Sequence, residues 1–336
     1  MTSVDEGMVD RYLAAARAGD HRSATALVLE LVDDGVPPDV IVDEVLVATQ
    51  LEAGQRWWRN EWTVADEHLT TSTTTAVIEA ISSASDTDSG SGHLVVVCAE
   101  GDWHGLPARM FSERMRFRGW RVSYLGASTP ADHVGEFLGR SGHDALAVTC
   151  TLALMFVGAA RLADVGHEAG LPVLIGGAAI TPNPQRALEL GADAAASSPE
   201  EADNRLRDVA GKPVVRPPTP LRRTALNLEA DARSIARAAF ADLEGVFPVM
   251  EGADERERRQ RLDDLVQAVR YLAAAVLVDD RTVWLDFARW QHALLVARGV
   301  PEEAFEAADA ILADHLRDPY PEAARLLTTE ARRPSP

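Results

Sequence analysis

Only two cysteines, Cys98 and Cys150, occur in 336 residues. Each closes an apolar run that reads as a buried strand, so both are expected as reduced core or pocket thiols. That excludes a disulfide staple and a covalent chromophore attachment. No apolar stretch approaches the roughly 20 residues needed to span a bilayer, and Met1-Thr2-Ser3-Val4-Asp5-Glu6 lacks the apolar core of a secretory signal. A soluble, cytoplasmic protein without membrane association is expected. Positive charge is scarce as well: 33 Lys and Arg stand against 52 Asp and Glu, for a net charge of −19. That sign repels phosphate, and no basic helix-turn-helix-like segment precedes the first helices, so direct nucleic-acid binding is not expected.

What remains is a globular composition, 46% hydrophobic and 25% charged, in a chain longer than one ordinary domain. Residues 5–84 show helical periodicity broken at Gly19-Asp20, Gly35-Val36-Pro37-Pro38 and Asn60-Glu61, which predicts a bundle of four helices. Leu27, Leu31, Ile41, Val45 and Leu51 recur at core spacing. Thr63 followed by Asp66 predicts the start of the fourth helix, with side-chain oxygens capping its free N–H groups. Glu67 and His68 then fall in its first turn, close to Trp57 and Trp58 at the end of the third. On its own, such a Trp-rich corner reads as packing.

A Ser/Gly/Asp linker at 82–93 is expected to let the bundle swing. After it, strands near 94–99, 120–125, 144–150, 172–176 and 193–196 alternate with helical segments. Five such alternations predict a flavodoxin-like (Rossmann-type) parallel sheet over 92–211, which binds ligands beyond the carboxyl ends of its strands. A Pro-rich linker, 211–220, separates a C-terminal all-helical domain over 221–330. Its central helices carry Tyr271, Trp284, Phe287, Arg289, Trp290 and His292; composition reads the aromatics as core and the domain as a dimerisation bundle.

The first strand delivers Asp102-Trp103-His104 to the ligand side of the sheet, where a carboxylate two residues before an imidazole can fix its tautomer for metal binding. The second and third buried strands end at Cys150-Thr151-Leu152 and Gly176-Gly177. Together these segments resemble the cobalamin-binding signature Asp-x-His-x-x-Gly, Ser-x-Leu, Gly-Gly. The resemblance implies that His104 is the lower cobalt ligand, Asp102 orients it, and Cys150 stands where a Ser holds the dimethylbenzimidazole tail. It also implies that Leu152, Gly176 and Gly177 line the tail channel. Pro107 replaces the first motif glycine. Gly126 and Ser197, at two further strand ends, are unspecific candidate contacts.

Trp57, nine residues, then Glu67-His68 resembles the motif of CarH/LitR-type cobalamin photoreceptors. In that family a four-helix bundle, here 1–84, caps the upper cobalt face, and the motif residues enclose the 5′-deoxyadenosyl group. Members carry a His directly after the Trp that binds cobalt after photolysis; this chain has Trp58. The domain order further resembles the photocobilins, which implies a globin-like C-terminal domain holding biliverdin without a covalent bond. The resulting expectation is a light sensor that binds adenosylcobalamin, contains no catalytic domain, and signals to an unknown partner through shape or light-dependent self-association. The alternatives are a corrinoid methyl carrier or mutase subunit, and a cobalamin-gated interaction module.

Overall fold

The computed structural model describes residues 4–5, 7–84, 90–140, 142–209, 220–246, 255–297 and 300–327. The N-terminal helices are α1 (Met8–Arg17), α2 (His21–Asp33), α3 (Pro38–Ile41), α4 (Ala48–Trp58) and α5 (Val64–Ala84). A π-helical turn, Val42–Val47, joins α3 to α4, so the bundle has the expected four rods. Each break is a left-handed residue, Gly19 (φ 67°), Gly35 (φ 77°) and Asn60 (φ 59°), a conformation that glycine and asparagine reach most easily. Tyr12, Val28, Ile41, Leu46 and Ile78 fill the core. Leu51, expected inside by its spacing, is exposed instead, because its face of α4 has no helix packed over it.

The sheet unit follows as β1 (His93–Cys98), α6 (Gly105–Phe117), β2 (Arg121–Tyr124), α7 (Ala131–Leu138), β3 (Ala145–Thr149), α8 (Phe156–Glu168), β4 (Val173–Gly176), α9 (Gln185–Glu189), β5 (Ala194–Ala196) and α10 (Pro199–Val209). All strands are parallel in the order β2-β1-β3-β4-β5, the flavodoxin-like arrangement, whose switch point lies between β1 and β3. Val95, Val97, Leu146, Val148, Val173 and Ile175 face α7 and α8. Leu94, Val96, Ala145, Ala147 and Leu174 face α6 and α10. Strand residues alternate between these two faces, and the nearly continuous apolar runs follow from both being buried.

The bundle is bolted to the sheet unit. Leu106 and Met110 of α6 enter the bundle core. Arg114 grips Asp43 through both guanidinium nitrogens (2.6 and 2.7 Å) and Asp39 (3.1 Å). Ser82 hydrogen bonds to buried Glu113. Residues 82–84 of the expected linker are therefore the last turn of α5, held by α6; positions 85–89 lie outside the described residues.

The C-terminal helices are α11 (Pro220–Val246), α12 (Glu255–Leu277), α13 (Arg281–Ala297), α14 (Glu302–Leu316) and α15 (Pro321–Leu326). They are all-helical, as expected, but they do not bury a core of their own. One continuous cluster runs from the sheet through Phe156, Leu162 and Ala163 of α8 to Leu228, Leu272, Ala275 and Trp284. Two buried arginines seal the junction. Arg222 donates to the carbonyls of Ala160 (2.9 Å) and Leu190 (3.2 Å) and pairs with Asp164. Arg186 donates to the Ala179 carbonyl (2.9 Å), to Asp280 (2.8 Å) and to Thr282 (2.9 Å). The expected linker at 211–219 lies outside the described residues. Among those described, no helix is long and apolar enough to cross a membrane.

Candidate corrinoid site

The site is built on the loop that leaves β1. Gly101 takes φ 89°, and its N–H donates to Ser128 (3.1 Å). The turn swings Asp102 beneath the chain, where its side chain is fully buried and every lone-pair direction it needs is used. Oδ1 accepts from the His104 backbone N–H (3.0 Å) and from His104 Nδ1 (2.8 Å), while Oδ2 accepts from the Thr151 N–H (2.8 Å). Burial alone would raise the Asp102 carboxyl, but these hydrogen bonds outweigh it and hold the pKa below the usual carboxylate value. The bond to Asp102 in turn pushes the His104 pKa up, against its partial burial. With Nδ1 committed, the half-exposed imidazole presents Nε2 as its free donor, the arrangement of a carboxylate-oriented metal ligand.

The lid corner forms as the sequence suggests. Thr63 and Asp66 cap reciprocally: the Thr63 N–H donates to Asp66 Oδ2 (2.9 Å), and the Asp66 N–H to the Thr63 hydroxyl (3.2 Å). Those bonds, with one from Arg17, pull the Asp66 pKa down to about 2. In the next positions Glu67 Oε2 holds His68 Nδ1 at 2.5 Å, and the Thr71 hydroxyl lies 2.8 Å from Glu67 Oε1 and 2.9 Å from Gln50. The corner thus carries its own carboxylate-oriented imidazole. Glu67 is close enough to help raise the His104 pKa, which places this corner near the loop that carries His104.

Exposed apolar side chains collect at the same place. Of the ten large exposed hydrophobics among the described residues, Leu51, Trp57, Trp58, Val64, Leu69, Trp103 and Leu152 belong to this corner or to the β1 and β3 loops, with Trp103 78% and Trp58 59% exposed. A shallow, mostly apolar cleft of about 510 Å³ on α4 is lined by Leu51, Gly54 and Trp58. Among the described residues no three His, Cys, Asp or Glu side chains converge as a chelating group. A single carboxylate-oriented imidazole among exposed indoles would suit a metal held mainly by a macrocycle, and the residues fit a corrinoid.

The tail side departs from the expectations. Cys150 is fully buried on the α8 face of the sheet, where burial pushes its thiol well above the usual value. One residue earlier, Thr149 turns its hydroxyl to the opposite face, beside Cys98 and Tyr124. The structure therefore brings Thr149, not Cys150, to the side that Gly176 faces. Alternation along β3 was the signal that could have found it. A Cβ on Gly176 would lie 2.7 Å from the Ala196 carbonyl, and one on Gly177 (φ 110°) 2.5 Å from that of Cys150. These glycines let neighbouring backbone approach. Leu152 is exposed at the β3 loop, and Gly126 (φ 89°) faces open space. Ser197 is committed to Glu201, which accepts from its N–H (3.0 Å) and hydroxyl (2.9 Å). Tyr124, an unspecific strand-end candidate beside Gly126, donates its hydroxyl to the Gly105 carbonyl (2.8 Å), and Trp103 joins the site without having been singled out.

In the C-terminal layer, the rings expected to meet biliverdin pack on one another. Tyr271 stacks on Phe287 (centroids 4.0 Å), with Trp284 at 5.8 Å and Trp290 at 6.0 Å from the same ring. Arg289 pairs with Asp286, and His292 lies against Phe305 (5.0 Å). Arg289 and Trp290 are exposed, Tyr271 and His292 are half-buried, and Trp284 and Phe287 are buried.

Comparison with known proteins agrees with this geometry. Residues 8–82 and residues 92–207 each match a B12 binding domain family. The chain is 30% identical over 186 residues to the HTH-type transcriptional repressor CarH of Myxococcus xanthus, a match covering 51% of this chain and 57% of the repressor. The chain therefore spans less than two thirds of that relative. The monomethylamine corrinoid protein of Methanosarcina barkeri has the same fold, with a TM-score of 0.53 and 19% identity over 61% of this chain and all of that one. With B12 binding domain matches over both the helical bundle and the sheet unit, the chain is a cobalamin-binding protein that is similar to CarH over about half of its length.

Proposed function

We propose that the protein is a light sensor that holds adenosylcobalamin between His104 and the Trp57, Trp58, Glu67, His68 corner, and that light changes its conformation or assembly. The observation that carries this reading is the lid itself: exposed indoles and a Glu–His pair stand across from the cobalt-ligand loop, where a methyl carrier would need an accessible upper face. Bound adenosylcobalamin would supply a photolabile Co–C bond. Trp57 offers a ring face to a purine, Glu67 accepts hydrogen bonds from a ribose, and the corner excludes water above the metal. Without a bound nucleoside the exposed indoles would be open to solvent, and a new packing of the corner or of a neighbouring chain against them would become favourable. His68, oriented by Glu67, is the side chain best prepared to offer Nε2 to the vacated position, since Trp58 has no metal donor.

The experiment is absorption spectroscopy with mass measurement by light scattering, in the dark and after green illumination. A spectral change accompanied by a change in mass or shape is expected; an unchanged particle in both states would favour the corrinoid carrier. Base–aromatic stacking contributes about 1–3 kcal/mol, so Trp57→Ala should cut the preference for adenosylcobalamin over hydroxocobalamin by about tenfold. Equal preference in variant and wild type would remove Trp57 from the lid.

The same reading includes a linear tetrapyrrole held without a covalent bond by the C-terminal layer, on the strength of its aromatic row ending at exposed Trp290 and Arg289. Biliverdin added to the protein should give a red-shifted band that co-elutes with it and is lost in Trp290→Ala. With no such band, the row is core and the layer serves packing or assembly alone.

A further inference from the structure

We propose that the C-terminal helices are a structural part of the corrinoid site: α12, through Tyr271, and α13, through the Asp280 grip, position the loop that carries His104. The inference rests on His104 being the cobalt ligand.

The connection can be followed contact by contact. Asp102 does not stand alone beneath His104; its Oδ2 accepts the Thr151 N–H at 2.8 Å, so the β3 loop sets where the carboxylate sits. The 3₁₀ turn that follows, Ala153–Met155, lies against the β1 loop from the other side, and Met155 Sδ would be 3.0 Å from a Cβ on Gly101. At the start of α8, a Cβ on Gly158 would stand 2.4 Å from the Glu100 carbonyl. Residues 99–104 therefore rest on residues 151–158 with no space between them. Behind that second segment is α12, which packs on both the 3₁₀ turn and α8. Tyr271, like Ala153 and Met155, packs against the cluster that contains Cys150, and burial, followed by the nearby Cys150 thiol, pushes its phenol pKa up. Stacking on Phe287 fixes the ring.

The second grip acts on the β4 loop. Gly177 backs directly on the Cys150 carbonyl, which accepts the Ala179 N–H at 3.2 Å. From there Arg186 holds the Ala179 carbonyl and reaches across to Asp280 and Thr282, while Asn183 donates to Asp280 at 3.0 Å. Both loops that support the Asp102–His104 pair are thus held by α12 and α13. Within a close-packed stack a displacement of one layer is passed to the next, because no void absorbs it. Tyr271 and Thr282 are positioning residues, since neither can touch the cobalt.

The test uses the full chain with adenosylcobalamin in the dark, reading affinity together with the spectral fraction in which His104 rather than no imidazole is on cobalt. Displacing a metal ligand's support costs on the order of tenfold in affinity. Tyr271→Ala should show that loss with a rise in the base-off fraction, and Tyr271→Phe, which keeps the ring, should restore both. Thr282→Val loosens the other grip while keeping the side chain's shape and should move both readouts the same way. Wild-type affinity and a full His-on spectrum in Tyr271→Ala and Thr282→Val would overturn the proposal. A His104→Ala control separates the two failures: if it turns base-off while the positioning variants stay normal, only the coupling is wrong. If it too is unchanged, the ligand assignment on which the coupling rests is wrong.

Discussion

Replacing His104 with Ala is expected to convert bound cobalamin to a base-off spectrum and to weaken its retention by about a hundredfold, the upper end of what loss of a ligand's support costs. The expectation follows from how completely the loop is committed to this imidazole. Asp102 is fully buried, accepts three hydrogen bonds from His104 and Thr151, and has no other role among its contacts. Asp102→Asn should fall between wild type and His104→Ala, about tenfold, because an amide keeps one acceptor oxygen and must turn an N–H toward a neighbouring donor. Equilibrium dialysis with absorption spectra measures both effects. Retention of a His-on spectrum in His104→Ala would locate the ligand elsewhere.

Arg186→Met should be the most destabilising single change at the junction of sheet and C-terminal layer, by about 3 kcal/mol at neutral pH. Arg186 and Asp280 are 7% and 11% exposed, so removal of the guanidinium strands a carboxylate in a largely dry place and frees the Ala179 carbonyl. Burial would raise the Asp280 carboxyl, yet hydrogen bonds from Thr282, Asn183 and Arg186 hold its pKa to about 2. A carboxyl depressed in the folded state stabilises above its unfolded value, about 3.9, and that contribution is lost as pH falls toward 2. The gap between wild type and Arg186→Met, measured by urea unfolding, should therefore be full above pH 5 and narrow between about pH 4 and pH 2. A constant gap across that range would mean that the lost packing of the arginine stem, and not the ion pair, sets the cost.

Local signals accounted for a large part of the architecture. The π turn inside the third rod left its periodicity intact, and Thr63 with Asp66 announced α5 because capping needs only residues three apart. The Asp102-x-His104 pair was equally legible: positions i and i+2 on one loop reach each other without help from the rest of the chain. Cys150 was misplaced because a strand turns successive side chains to opposite faces, so a motif aligned one residue off exchanges Thr149 for a core thiol. Ser197 looked like a strand-end contact, and only its neighbour Glu201 shows that its hydrogen bonds are spent in a cap.

The C-terminal helices are the clearest case of information absent from local pattern. Their amphipathic faces were evident, as were Tyr271, Trp284, Phe287 and Trp290, but an apolar face does not name what covers it. Residues 221–330 were expected as a domain on a linker, whereas Leu272, Ala275 and Trp284 complete the core that begins at Val95 and Val148. By itself the sequence determined the helices, the strand segments, the Thr63–Asp66 cap and the Asp102-oriented imidazole, all of which depend on neighbours within a few residues along the chain. The tertiary structure alone decided that the Glu67 corner stands near His104, that Thr149 and not Cys150 faces the Cys98 and Tyr124 side, and that α12 packs on the 3₁₀ turn and α8. Those arrangements are set by which apolar surfaces exclude water together, a choice made between segments separated by up to about a hundred residues or more, where no spacing rule reaches.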